Sequence, residues 1–424
     1  MKQTSARIVR TAFVASASCI SALVLASGAK ADDQPPAWHG FFTSGVAFTD
    51  TNTGYDGGLT KRADIERLTH LGLNIQKNLS ERWDFAAQII ANSNTISPDW
   101  AFVSWYPIKG LTLRIGKQKA PMWLMSDHID VGHTYPWIAP PEEVYSFNPI
   151  KRASGLGATY RLNLGGGLEA VAEGLISANS TDTLTVTEGE SKNSSFQVKL
   201  NYRRLGVINL ALGNEAFQVR AGYAKAAVGL KTDFYQIKNL NAGFGTVGLK
   251  VDTHGLLLLS EYASNFGSVD QSEINAANAN LIAAGTTSAM AGVKAAQTGS
   301  PTDIQAAQTA GTAAEAAYLQ DAAVHQMVGT HGWYATTGYQ VGPVLPFVTL
   351  AQLRNPGSSH IINFGSQDSA SFGMKYDANP YTDLKVQGQH VWPKNGSRGI
   401  QDASTTGSSY KQLNVFQAAV DVAF

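Results

Sequence analysis

The 424-residue sequence contains one cysteine, Cys19, and it falls within the first 31 residues. Any chain that begins after that stretch has no disulfide and needs no oxidising catalyst to fold after export. Charge is also scarce: Asp, Glu, Lys and Arg make up 15% of the residues and cancel to a net of zero. A balanced chain of this kind lacks the cationic surplus with which proteins neutralise nucleic-acid phosphates. A third absence concerns hydrophobicity. Although 44% of the residues are apolar, no run of 18 or more apolar residues follows residue 31, which argues against spanning helices. Cofactor fingerprints are missing too. Gly155-Leu156-Gly157 lacks the third glycine of a dinucleotide loop and opens a strand pattern instead of a helix. No cofactor is expected.

The one long apolar run is Thr11 to Ala29. Lys2, Arg7 and Arg10 precede it, and Ala29-Lys30-Ala31 closes it. A basic start, an apolar stretch and a small-residue exit describe a secretory signal peptide, with cleavage expected before Asp32. An N-terminal anchor is the alternative, but Ser16, Ser18 and Ser21 dilute the run. A lipoprotein reading of Cys19 is weak, because no branched residue stands just upstream. Cleavage would leave 28 basic residues against 32 acidic ones.

What the remaining chain does have is a period of two, repeated many times. Leu71, Leu73 and Ile75 alternate with Gly72, Asn74 and Gln76. Leu111, Leu113 and Ile115 alternate with Thr112, Arg114 and Gly116. The same holds over 156–163, 196–203, 247–252 and 372–377. Alternation puts one set on each face of a sheet. The apolar faces often end in an aromatic residue, as at Tyr160, Tyr202 and Tyr376, which is what a membrane interface favours. Short turns, such as 78–81, 107–110, 204–206 and 252–255, alternate with long polar stretches near 51–65, 120–154, 226–243 and 267–325. That one-sidedness predicts an antiparallel transmembrane β-barrel, residues 32–424, with sixteen strands. The expected strands include 195–205 and a bent one over 208–225. Residues 267–325 are Ala-rich and read as a long outer loop, partly helical.

The final strand reads Phe416, Ala418, Val420, Val422 and Phe424 on one face. This strand resembles the last strand of Gram-negative outer-membrane proteins, and the chain after residue 31 resembles the sixteen-stranded porin superfamily. The resemblance implies that Phe424 is a signal for the barrel-assembly machinery. It also implies an outer-membrane location among lipid and lipopolysaccharide, and a homotrimer. The implied function is a water-filled channel for small hydrophilic solutes. It further implies that the third outer loop, about 121–152, folds into the lumen.

That loop is rich in Trp, Tyr and Pro, and such loops are normally buried against something. Its Asp127, His128, Asp130, His133, Glu142 and Glu143 are the candidate constriction residues. Alternation places Arg114, Arg161, Lys199 and Arg203 on the facing wall, with Lys117, Lys119, Lys151 and Arg152 near the rim. Opposed charges there would set up a transverse field; the plainer alternative is that they pin the loop. Asp127-His128 also permits a barrel hydrolase, and Ser358-Ser359-His360 a lipase-like pair, yet neither has an obvious partner set. His128 and His133 lack a third ligand for a metal. A plugged barrel or an adhesin without channel activity also stays open. Only residues 32–37 precede the first strand, too few for a separate plug domain.

Overall fold

The computed structural model describes residues 35–424, apart from 57, 94, 147–149, 189–193, 232–235, 268–270, 327–328, 356–365, 395–396, 398 and 402–410. The expected signal peptide and Ser358-Ser359-His360 lie outside the described residues.

Sixteen strands form the body. The first half is β1 (Ala37–Thr49), β2 (His70–Ser80), β3 (Trp83–Asn92), β4 (Ile96–Ile108), β5 (Leu111–Lys119), β6 (Arg152–Gly165), β7 (Leu168–Glu188) and β8 (Ser194–Gly213). The second half is β9 (Phe217–Lys231), β10 (Gln236–Thr253), β11 (Leu256–Asn265), β12 (His331–Tyr339), β13 (Val344–Arg354), β14 (Gln367–Asn379), β15 (Thr382–Pro393) and β16 (Leu413–Ala423). Each strand pairs antiparallel with its chain neighbours, and β1 pairs with β16 to close the barrel. Closure removes both sheet edges, so every strand finds backbone partners on two sides.

The turns at one end follow from local chemistry. At His254 and Gly255 both φ angles are positive, 50° and 83°, the mirror-image turn that matches strand twist. At the turn after β8, the Asn214 side chain accepts from the amides of Ala216 and Phe217, at 2.9 and 3.0 Å. This side-chain turn corrects the expected boundary. The chain does not turn at Arg204-Leu205-Gly206. It bulges there, with Arg204 at φ 52° and a register shift between Arg203 and Gly206. The strands expected over 195–205 and 208–225 are therefore β8 and β9, displaced, and the count of sixteen survives.

The outer face carries the apolar residues of the alternation. Ile115, Leu156, Ile176, Val247, Val348 and Phe372 are all more than two-fifths exposed. Tyr160 and Tyr376 are also exposed, as the pattern predicts, whereas Tyr202 is fully buried. A continuous apolar exterior is a surface that soluble chains avoid.

Three cross-strand Phe–Gly pairs brace the sheet. The rings of Phe41, Phe347 and Phe424 lie over Gly72, Gly373 and Gly40, where an added Cβ would fall 2.1, 2.2 and 2.5 Å from the ring. Aromatic cover of this type compensates glycine's missing side chain. Phe424 also exchanges backbone hydrogen bonds with Gly40, at 2.7 and 2.9 Å, and so contributes the last rung of the closing ladder. Phe424→Ala is expected to lower folded yield, scored by heat-modifiable gel mobility of refolded protein. Unchanged yield would remove any role for the ring.

Among the described residues, the helices lie in the loops. A single turn, α1 (Glu142–Tyr145), lies between β5 and β6. Between β11 and β12 stand α2 (Gln271–Thr298) and α3 (Pro301–Gln326), each about 40 Å long at 1.5 Å per residue. Gly299, at φ 60°, ends α2, and Pro301 opens α3, the usual distribution of these two residues. Lys294 and Thr298 reach Asp303 at 2.8 and 2.7 Å and clamp the tip, holding its carboxyl below the usual range.

Candidate functional site

The segment between β5 and β6 is heavily packed, with Ala120, Met122, Trp123, Tyr135, Trp137, Val144 and Tyr145 all buried. Its base is tied by the Ala120 amide to the Lys151 carbonyl, 2.9 Å. Ser126 Oγ accepts from the amides of Met122 and Trp123, at 3.0 and 2.8 Å, which starts a series of tight turns. Trp123 and Trp137 are almost wholly buried. Trp123 stacks on Tyr145 and meets Phe244 edge-on, and Trp137 meets Tyr334 edge-on. These aromatics explain why the segment cannot be a solvated loop.

Its polar anchors run along strands β10 to β16. Thr246 on β10 donates to the Met122 carbonyl, 2.6 Å. Glu261 on β11 accepts from the Leu124 amide at 2.9 Å and from the Tyr145 hydroxyl at 2.7 Å. Trp137 Nε1 donates to Thr336 and Thr349 on β12 and β13, both at 3.0 Å. Gln367 on β14 donates to Glu143 at 2.7 Å. Lys385 on β15 donates to the carbonyls of Gly132 and Trp137, at 2.6 and 2.9 Å, and pairs with Asp421 on β16 at 2.9 Å. Lys375 on β14 donates to the His133 carbonyl at 3.0 Å, and His133 Nδ1 lies 2.8 Å from Asp383. A side chain on Gly132 would meet the Asp421 carboxylate at 2.1 Å, so glycine is needed there for the close approach.

The opposite wall is more open. A cavity of about 300 Å³ is lined by Arg114, Lys119, Arg161, Asp127 and Glu173, with Trp100 and Phe102 beside them. The Arg114 guanidinium lies 5.1 Å from the Phe102 ring, a favourable cation–π distance, and its buried Nε finds no hydrogen-bond partner among the described residues. Arg161 pairs with Glu169 at 3.2 Å and Arg220 with Glu173 at 2.8 Å.

The candidate residues therefore sort into three groups. Arg114, Arg161 and Asp127 share the cavity. Asp130, His133, Glu142 and Glu143 are anchoring or buried positions. Asp130 pairs with Lys119 at 2.9 Å and approaches Arg152 at 3.8 Å; burial pushes its carboxyl up, but the two cations outweigh this and hold it below the ordinary range. His128 Nε2 contacts Met125 Sδ at 3.2 Å, and burial lowers its pKa. Lys199 and Arg203 form the third group, and here the expectation is corrected. Both are exposed, while Tyr202 is buried opposite Val228. The left-handed Arg204 reverses the side-chain phase, so the aromatic takes the packed face and the cations take the outer one. Lys385 and Asp383 were missed, although the alternation of Leu384 and Val386 with their neighbours marks both as inward.

Glu142 and Glu143 both have raised carboxyl pKa values, with burial the largest cause, and each has one carboxylate oxygen without a hydrogen-bond partner among the described residues. A raised folded pKa favours folding while the acid is protonated, and that contribution is lost as pH rises through it. Glu143→Gln is therefore expected to flatten the stability loss that sets in as pH rises above the ordinary carboxylate range, read by thermal scans. A variant with an undiminished loss would show that Glu143 is not its source.

No family model matches the chain, and no curated protein matches it. Solved structures do. An anion-selective porin from Comamonas acidovorans superposes with a TM-score of 0.52 at 12% identity, over 92% of this chain and 99% of that one. This is a porin fold. Salmonella typhi OmpF, in complex with daunomycin, gives 0.50 at 14% identity over 91% and 97%. OmpT, an outer membrane protein of Vibrio cholerae, gives 0.50 at 8% over 93% and 100%. At these identities the likeness is one of fold.

Proposed function

We propose that this porin-fold protein sits in the outer membrane and forms a water-filled channel for passive diffusion of small hydrophilic solutes. The reading is carried by the asymmetry of the interior. The loop between β5 and β6 is anchored along β10–β16, while the wall of β4–β7 lines an open space with charges of both signs. The loop thus acts as a constriction and the β4–β7 wall as its passage. Solutes are sorted by size and by the field between Arg114 and Arg161 on one side and Asp127 and Glu173 on the other. No covalent chemistry is involved. His128 and His133 address Met125 and Asp383 through the nitrogens described above, not a nucleophile. The exposed apolar exterior is the lipid-facing surface, and a homotrimer is the assembly that the resemblance implies.

Liposome swelling tests the reading. Proteoliposomes placed in isotonic arabinose are expected to swell faster than empty ones, and more slowly in a trisaccharide. Equal rates with and without protein would contradict it.

A further inference from the structure

The lumen of a water-filled barrel is expected to be polar. Trp123, Trp137 and Tyr145 are no exception, because they are consumed in packing the loop between β5 and β6. A second aromatic pair, Trp100 and Phe102 on β4, is only half-buried. The two rings stack at 5.3 Å and 26°, and they line the cavity of about 300 Å³ together with Arg114. Both share a strand phase with the buried Ser104, so the alternation of β4 turns them inward, away from lipid.

The charges around this cavity are mostly spoken for. Lys119 pairs with Asp130, Arg161 with Glu169, and Glu173 with Arg220. Among the described residues, Arg114 and Asp127 line the cavity without an ion pair. The two are not equivalent. Arg114 is half-buried, its guanidinium lies 5.1 Å from the centre of the Phe102 ring, and its buried Nε has no hydrogen-bond partner among the described residues. Asp127 is exposed. Water and salt screen an exposed charge far more than a half-buried one, so the cation dominates the cavity, while the acid opposes a second negative charge on any guest.

We propose that this cavity binds aromatic monocarboxylates, with Arg114 holding the carboxylate, Trp100 and Phe102 meeting the ring, and Arg161 serving as a second cation. The guanidinium fork matches a carboxylate with two parallel hydrogen bonds, and a ring against Trp100 and Phe102 gains more than an aliphatic group of equal area. Arg161 is available because its pair with Glu169 is exposed on both sides, and such pairs are weakly held. The volume lies at the lower end of small-molecule sites, roughly 300–1,000 Å³, and so suits a guest with a single ring. The proposal deepens the channel reading by naming a solute class. It rests on that reading for the solute's route through the barrel, but binding itself is measured without a membrane.

Saturation-transfer NMR of the detergent-solubilised full-length mature protein tests the proposal, with protein-free micelles as the blank. The probe is hydrocinnamate. It is compared with cyclohexanepropionate, which lacks the aromatic ring, phenylalanine, which adds an ammonium group, phenylsuccinate, which adds a carboxylate, and phenethylammonium, which reverses the charge. Hydrocinnamate should bind at least about threefold more tightly than each of the others. Arg114→Gln should weaken it about tenfold, the usual worth of a charge-assisted bond. Arg114→Lys, which keeps the charge and loses the fork, should fall between the two and serves if the glutamine variant fails to fold. Trp100→Leu should abolish most of the preference for hydrocinnamate over cyclohexanepropionate while leaving cyclohexanepropionate binding unchanged, a split that general loss of structure would not produce. Equal affinity in native and Arg114→Gln protein would overturn the site. Tighter binding of phenylalanine or phenylsuccinate would overturn the assignment to monoanions. Potassium chloride conductance of the same native preparation is recorded alongside. Conducting channels without a preference for hydrocinnamate would remove the site and keep the channel, whereas the preference without conductance would keep the site and remove the channel.

Discussion

Lys385→Met is expected to destabilise the protein by about 3–5 kcal/mol and to release the loop between β5 and β6, because removing one partner strands a buried charge. The Lys385 side chain is wholly buried, as is that of Asp383, and Asp421 is nearly so. Its ammonium group donates to two loop carbonyls and faces Asp421, with the Tyr135 ring 5.0 Å away. Methionine fills much of the same volume but leaves Asp421, among the described residues, with Thr43 as its side-chain hydrogen-bond partner. Asp383 still keeps Lys375 and His133, so the loss falls mainly on Asp421. Denaturant unfolding in detergent measures it. Adding Asp421→Asn removes the stranded charge and should restore part of the stability, a coupling that a double-mutant cycle reads directly. If the two substitutions are simply additive, the ion pair is not the anchor.

The second large effect concerns transport. Deleting residues 123–145 should raise single-channel conductance by at least about twofold, since a constriction limits current in proportion to its narrowest section. The deletion removes Trp123, Trp137 and Tyr145, and with them the groups that meet Glu261, Thr336 and Thr349. Those wall residues then face water, where their hydrogen bonds are readily replaced, so the barrel itself should persist. Unchanged conductance in a correctly folded deletion variant would show that the loop does not set the passage.

The fold was largely legible in the sequence, because a barrel writes itself as alternation. Leu111, Leu113 and Ile115 face outward and Arg114 inward as their spacing requires. The reading failed where a local backbone conformation reversed that phase. Nothing in the types Arg204-Leu205-Gly206 distinguishes a turn from a bulge, and one left-handed residue moved Lys199, Arg203 and Tyr202 to the opposite faces. The Asn214 turn was overlooked because its stabilising bonds are made by a side chain. The burial of the loop could be read from its tryptophans and tyrosines. Its partners could not, because Glu261, Gln367 and Lys385 lie more than a hundred residues away and meet it only once the barrel closes. Of the basic partners expected for the loop carboxylates, Asp130 meets two of the rim set, Lys119 and Arg152, which flank its own loop.

The central claim is that this barrel is an open channel, and single-channel recording tests it most directly. Purified mature protein is added to a planar phosphatidylcholine bilayer under a salt gradient. Stepwise, ohmic current increments with a defined reversal potential are the predicted result, and the sign of that potential reports which ion the Arg114–Arg161 wall admits. Insertion without any conductance, verified by recovery of folded protein from the membrane, would contradict the account and leave the interior a plug.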